Sequence, residues 1–384
     1  MMNSKWLPGL LLCLGLLVGC DSGGEDGNSD GPANNSGPAR SFQLGFTPWP
    51  FDSTITALNT TYSLIQENGD IVAHHLKQGV PWQEALTGSP YPQHLTREID
   101  GRISRTMSGK TVYLAIDPLS TLRDTLAGNW GENGQEPRSA PWDARSFATP
   151  EVITAFTNFS LDMIERFEPA YFNYATEATE LLLTNPQDFS DFVVFAREVY
   201  ANIKRAYPDL PLMVSVGLKS PGSPATNGFI DQFPRIADYV DIVGISVYPY
   251  AFFQADDGRS PGALPDNWLR QIQSIAPNKP VAITETGWVG EDLDIPRFDL
   301  SVNSSENNQR NYVTKMLEAA ESLDAQFVIW FTAVDFDAFW RGALGRDDLA
   351  LIWRDAGLYD ENLRGRPALD VWQDWLGRRY EPDA

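Results

Sequence analysis

The sequence predicts a closed eight-stranded parallel barrel, a single-domain (β/α)8 TIM barrel of the α/β class, and three observations carry that prediction. Eight short β-prone runs alternate with longer amphipathic stretches from Ser41 to the C-terminus. No domain break interrupts that rhythm, so one domain over 41–384 is expected. The first run leads into FTPWPFD and not into a glycine-rich phosphate loop, which argues against an open doubly wound sheet.

In chain order the β-prone runs are FQLGFTP (42–48), DIVAHH (70–75), TVYLAID (111–117), AYFNYATE (170–177), LMVSVG (212–217), DIVGISVY (241–248), PVAITET (280–286) and FVIWFT (327–332). Helix-like stretches lie between them at Ser53 to Glu67, Pro150 to Phe167, Asp188 to Tyr207, Ser305 to Leu323 and Pro367 to Leu376, several opened by Ser, Asp or Pro. The connection from Pro118 to Ala148 is too long for a plain strand-to-helix loop and carries Asn129, Trp130 and Trp142. It reads either as a wall of binding subsites or as a mobile insertion. Trp82, within KQGVPWQEAL, either walls the cleft after the second strand or anchors the second helix.

Of the 384 residues, 42% are hydrophobic and 12% aromatic, enough for a large core with rings to spare for a cleft, and global disorder is excluded. Asp and Glu number 51 against 29 Lys and Arg, a formal net charge of −22. Nucleic acid needs a basic face and is not an expected partner. The histidines are His74, His75 and His94, and the adjacent pair would point to opposite sides of a strand, so no histidine metal site is expected.

Residues 1–19 begin with Lys5 in a short head and run apolar from Leu10 to Val18, the pattern of a secretory signal. Residues 21–40 are Gly, Ser, Asn, Asp and Pro with no large apolar group, the composition of a flexible tether. The run Leu17, Val18, Gly19, Cys20 resembles the lipobox of bacterial lipoproteins. That resemblance implies lipidation of Cys20 and a place in the bacterial cell envelope, at the outer membrane or the periplasmic face of the inner membrane. Cys13 falls in the discarded leader, so the mature chain keeps no thiol for a disulfide or for nucleophilic catalysis.

Chemistry in such a barrel sits at the carboxyl ends of the strands. Those ends supply Thr47 and Trp49, His74 and His75, Asp117, Glu177, Tyr248, Glu285, and finally Trp330, Asp335 and Asp337. The fourth and seventh strands lie across the mouth, so Glu177 and Glu285 are placed to face each other over a sugar. Such a pair divides glycoside cleavage between a protonated acid and an ionised nucleophile or base, with no metal or cofactor. For Glu177 to remain protonated near neutral pH, the ionised Glu285 nearby must raise its pKa.

The segment KPVAITETGWVG around Glu285 resembles the strand-seven nucleophile segment of clan A glycoside hydrolases, and DIVGISVYPY resembles strand six of the same clan. The latter is most similar to the endo-β-1,4-galactanase family, whose tyrosine hydrogen-bonds the nucleophile. By position that tyrosine is Tyr248. GLYDENLRGRPALDVW (357–372) resembles the turn and final helix with which clan members close the barrel.

The resemblance implies a retaining, endo-acting hydrolase of β-linked polysaccharide or oligosaccharide, with Glu285 as nucleophile and Glu177 as acid and base. Clan members place Asn directly before the acid, whereas Thr176 stands there here, and Glu180 three residues on is a rival acid.

Candidate substrate-binding residues are Thr176, Tyr248, Trp330, Trp49, His75, Asp117, Trp288 and Asp337. Trp330 either stacks on a sugar face or belongs to the barrel core. His75, Asp117 and Asp337 either bind hydroxyls or serve as caps and ion-pair partners. A monomer is expected. The other reading is a surface glycan-binding lipoprotein on a catalytically silent barrel.

Overall fold

The structure is a computed structural model that describes residues 38–382; the leader, Cys20 and the tether up to residue 37 lie outside the described residues. The eight runs form eight strands: β1 (Gln43–Phe46), β2 (Ile71–Leu76), β3 (Thr111–Ile116), β4 (Tyr171–Asn173), β5 (Leu212–Gly217), β6 (Ile242–Val247), β7 (Val281–Thr286) and β8 (Phe327–Trp330). All pair in parallel and in sequence order, and β8 returns to β1 in the register Gln43 with Phe327 through Phe46 with Trp330, closing the barrel.

Alternation along the strands separates two cores. Ile71, Ala73, Tyr113, Ala115, Met213, Ile242, Ala282, Phe327 and Ile329 point inward and fill the barrel. Their neighbours Val72, Leu114, Val214, Val243, Ile283, Val328 and Trp330 point outward into the helical layer.

Eight helices of that layer are α1 (Ile55–Asn68), α2 (Trp82–Thr87), α3 (Gln93–Arg105), α4 (Pro150–Phe167), α5 (Phe189–Ala206), α6 (Pro224–Gln232), α7 (Glu306–Ser322) and α8 (Pro367–Leu376). Local chemistry sets their starts. Thr54 caps α1 by accepting from the Ala57 amide, Ser305 caps α7 by accepting from the Asn308 amide, and α4 and α8 begin with proline.

The last helix locks the seam where the barrel closes. Trp372 is fully buried, donates from Nε1 to the Asn68 carbonyl at 2.8 Å, and sets its ring 4.9 Å from Phe46 and 6.4 Å from Trp330. It therefore joins α8 to β1, β8 and the end of α1. Truncation of so deeply packed an indole costs about 3–5 kcal/mol.

The long connection between β3 and α4 is packed. It contains an antiparallel hairpin, Asn129–Gly131 with Gly134–Glu136, whose Trp130 is buried and donates to His94 Nδ1 at 3.1 Å. Trp82 opens α2, donates to the Ala127 and Gly128 carbonyls at 3.1 Å, and stacks on Trp142 at 5.7 Å. Of its two readings the anchor is the one seen. Among the described residues, no helix is long and apolar enough to cross a membrane.

Candidate active site

The site begins with a one-residue irregularity. Along β6 and β7, Ile245 pairs with Ile283 but the next pair is Ser246 with Glu285, so Thr284 is an extra residue on β7. Strict alternation would send Glu285 outward, because Ala282 points in and Ile283 points out. The bulge restores Glu285 to the inner face and leaves Thr286 outward, where its hydroxyl lies 2.8 Å from Tyr312 of α7. Gly244 makes room for the bulge: a Cβ there would lie 2.7 Å from Thr284 Cγ2 and 2.7 Å from Ser215 Cβ.

Two inward residues of β6 and its end then hold the two carboxylates. Ser246 donates from Oγ to Glu177 at 2.6 Å, and Tyr248 donates from its hydroxyl to Glu285 at 2.7 Å. The residue separation is two, about 6.6 Å along a strand, so both glutamates face the same space above the barrel.

Glu177 follows β4 in the left-handed backbone region, φ 52 and ψ 37. That conformation costs a glutamate about 1 kcal/mol or more and persists only where the surroundings impose it. Here three bonds do so. The Thr176 amide donates to Asp117 at 2.9 Å, the Glu177 amide donates to Ser215 Oγ at 2.8 Å, and the Glu177 carbonyl accepts from the Glu180 amide at 2.9 Å.

Asp117, at the end of β3, organises the neighbourhood. His75 Nε2 lies 2.6 Å and Arg123 3.1 Å from its carboxylate, and Arg123 Nε also reaches Glu177 at 3.3 Å. Burial pushes the Asp117 carboxyl up, but Arg123, His75 and the Thr176 amide outweigh it and hold it well below the usual carboxylate range. Glu285 moves the other way. Burial raises its carboxyl and the charge of Glu177 raises it further, against the opposing pull of His75, the Tyr248 hydroxyl and Lys77.

Glu180 pairs with Lys219 at 2.7 Å, on a 3-10 turn beyond Glu177 and against the end of β5. Burial and the Glu177 charge raise its carboxyl while Lys219 opposes them. Its cation is its own, whereas Glu177 shares Arg123 with Asp117.

Aromatic rings pack in a row beside Tyr248, of which Trp49, Phe331 and Tyr248 are buried and Trp353 and Phe252 are partly exposed. Trp49 lies 5.5 Å from Phe331, Phe331 6.4 Å from Trp353, and Trp353 6.5 Å from Phe252 and 5.8 Å from Tyr248. Lys77, just past β2, holds its ammonium 4.3 Å above the Trp49 ring.

Three candidates occupy other positions. Trp330 is fully buried on the outer face of β8, donates to the Ala356 carbonyl at 2.8 Å and packs on Tyr312 and Trp372, so of its two readings the core is the one seen. Trp288, expected at the substrate, is likewise buried, 4.8 Å from Tyr312, with its indole donating to Ser304 at 3.0 Å. Alternation directs both into the helical layer. Asp337 opens a short helix and pairs with Arg341 at 3.2 Å and Arg354 at 3.7 Å, the ion-pair role.

Arg123, Lys77, Ser215, Ser246, Phe331 and Trp353 were not foreseen. Ser246 had a readable signal, since Ile242, Gly244, Ser246 and Tyr248 alternate on one face of DIVGISVY. The others depend on loop paths that leave no periodic trace.

No protein-family model matches the chain, and no curated protein is similar to it in sequence. Similarity appears in structure. An exo-β-1,4-mannosidase from an Opitutaceae bacterium aligns with a TM-score of 0.59 at 14% identity, over 88% of this chain and 59% of the mannosidase. The GH53 catalytic domain of Ignisphaera aggregans aligns at 0.53 and 16% identity, over 83% of this chain and 87% of that domain. A GH2 β-galacturonidase from Eisenbergiella tayi aligns at 0.51 and 16% identity, with 89% of this chain covering 52% of the enzyme. This chain thus spans little more than half of the mannosidase and of the galacturonidase. What it shares with all three is the closed eight-stranded barrel.

Proposed function

We propose that this protein is a retaining glycoside hydrolase that cleaves β-linked polysaccharide or oligosaccharide internally, carried on the bacterial cell envelope by a lipid on Cys20. The observation that carries the reading is the pair of hydroxyls from one strand, Ser246 on Glu177 and Tyr248 on Glu285. Structural neighbours that are named as glycosidases support it at the level of the barrel. The partly exposed rings of Trp353 and Phe252, beside Tyr248, support a carbohydrate ligand, since sugars present apolar faces to aromatic rings.

In the first step an ionised Glu285 oxygen attacks the anomeric carbon while the glycosidic C–O bond breaks and Glu177 passes its proton to the departing oxygen. In the second, Glu177 takes a proton from water, the water oxygen attacks the same carbon, and the ester bond to Glu285 breaks. Tyr248 aims Glu285 and supports its charge. Arg123 and Ser246 fix the Glu177 carboxyl group, and Asp117 fixes Arg123, His75 and the backbone before Glu177.

The test is a screen of the purified protein on β-galactan, β-glucan, β-mannan and xylan, reading product sizes and, by proton NMR, the first anomer released. Oligomeric products of retained configuration are expected. Two observations favour the second reading, a glycan-binding lipoprotein: Arg123 reaches Glu177 at 3.3 Å, and Thr176 replaces the amide residue that precedes the acid in similar hydrolases. Binding to a polysaccharide without any cleavage would select it.

A further inference from the structure

Beside Glu177 and Glu285 a recess open to solvent lies between the end of β2, the hairpin of the long connection and helices α1 and α3. Its chemistry is unusual for a chain with a formal net charge of −22: the charged residues lining it are Lys77, Arg102, Arg105 and a single carboxylate, Glu98, which Arg102 occupies at 2.8 Å.

Two donors in the recess have no acceptor among the described residues. Lys77, an exposed side chain, has no carboxylate within ion-pair distance, and its close partner among the described residues is the Trp49 ring below it. The Trp49 indole N–H is buried and unbonded, although Trp49 is only 8% exposed. An unpaired buried donor is costly unless something fills it. The recess joins the active site through His75, which lines it and bonds Asp117, and the charges of Lys77 and Glu285 act on each other.

We propose that this recess is a subsite for an anionic sugar unit, whose carboxylate or sulfate pairs with Lys77 above Trp49. The inference rests on the glycosidase reading for the role of the neighbouring glutamates, but the anion site stands on its own donors. A neutral sugar offers Lys77 no counter-charge within ion-pair distance; a uronate or sulfated unit supplies one. Lys77 acts as a compact point charge and is not a bidentate clamp, so either anion satisfies it.

The test measures binding by calorimetry to the full protein carrying Glu285→Gln, so that turnover does not enter. The probes are matched pairs: oligogalacturonate, glucuronoxylan oligosaccharides and oligomannuronate against the same oligosaccharides after carboxyl reduction, and sulfated galactan oligosaccharides against their desulfated forms. For at least one pair the anionic member is expected to bind roughly tenfold tighter, the size of one partly enclosed ion pair. Lys77→Met in the same background should erase that preference and Lys77→Arg should keep most of it, with circular dichroism checking that each variant is folded.

Preference within a uronate pair identifies a carboxylate subsite, and preference within the galactan pair alone a sulfate subsite. Equal binding in every pair, or a preference that survives Lys77→Met, overturns the proposal. The two readings fail separately. Lys77-dependent binding with no cleavage by the wild type sinks the hydrolase and keeps the subsite, while cleavage of neutral glycans without anion preference does the reverse.

Discussion

Ser246 and Tyr248 stand two residues apart at the end of β6, and each donates its hydroxyl to a different glutamate, Ser246 to Glu177 and Tyr248 to Glu285. One strand thus sets the relative placement of two carboxylates that arrive from β4 and β7.

Replacing Tyr248 with Phe removes a hydrogen bond to a charged group, worth about 1.5–3 kcal/mol, so kcat should fall roughly 10- to 100-fold. The Tyr248 hydroxyl pulls the Glu285 carboxyl down; its loss should move the acidic limb of the kcat/KM profile to higher pH. A pH–rate series on both proteins checks the direction, and an unmoved limb would remove Tyr248 from this role.

Glu285→Gln should abolish turnover and at the same time raise Tm near neutral pH. The folded-state pKa of Glu285 is raised, so the native protein binds more protons than the unfolded chain between about 4.3, the unfolded value, and its own higher pKa. Stability therefore falls as pH rises through that window, and the deficit is fully present above it. Glutamine has no such deficit. Thermal melts of both proteins at pH 4 and pH 8 should converge at the lower pH and separate at the higher.

Glu177→Gln should slow substrates with poor leaving groups by about 10²–10⁴-fold and spare activated aryl glycosides, whose departing oxygen needs little protonation. Glu180→Gln, which loses only its pair with Lys219, should leave the leaving-group dependence unchanged. A plot of log kcat against leaving-group pKa for each variant decides between them, and the reverse pattern would transfer the acid role to Glu180.

Asp117→Asn should cost about 3 kcal/mol, because it leaves the buried Arg123 short of a counter-charge. The folded-state pKa of Asp117 is depressed, so its contribution is present above the unfolded value of about 3.9 and is lost as pH falls toward the folded one. The gap in denaturation midpoint between wild type and variant should narrow on acidification from pH 6 to pH 3.

Cys20→Ser in the full chain should shift the protein from the membrane fraction to the soluble fraction, as the sequence Leu17-Val18-Gly19-Cys20 implies. Membrane association that survives the change would remove the anchor.

The barrel was legible because its signal is repeated: each of the eight β-prone runs coincides with a strand, and the helix-like stretches from Pro150, Asp188, Ser305 and Pro367 each coincide with a helix. Individual side chains at strand ends were less so. Trp330 and Trp288 carry the residue type of a sugar platform, yet which face an indole takes depends on register, and both point into the helices. Glu285 lies under the opposite ambiguity, since a strictly alternating β7 would have directed it outward. Arg123 and Lys77 sit beyond β3 and β2, where their partners lie 54 residues away or on another strand's rim, and no local pattern marks them.

The extra residue at Thr284 makes the chemistry of β7 a matter of parity. The residues before it keep one odd–even assignment of faces and those after it keep the other, so a single strand serves the interior with Ala282, the mouth with Glu285 and the helical layer with Thr286. The identity of the side chain at 285 and the count of residues leading up to it are therefore separate requirements. A chain that preserved every functional residue but had one fewer in β7 would spell the same motif and present a blank face to the cleft.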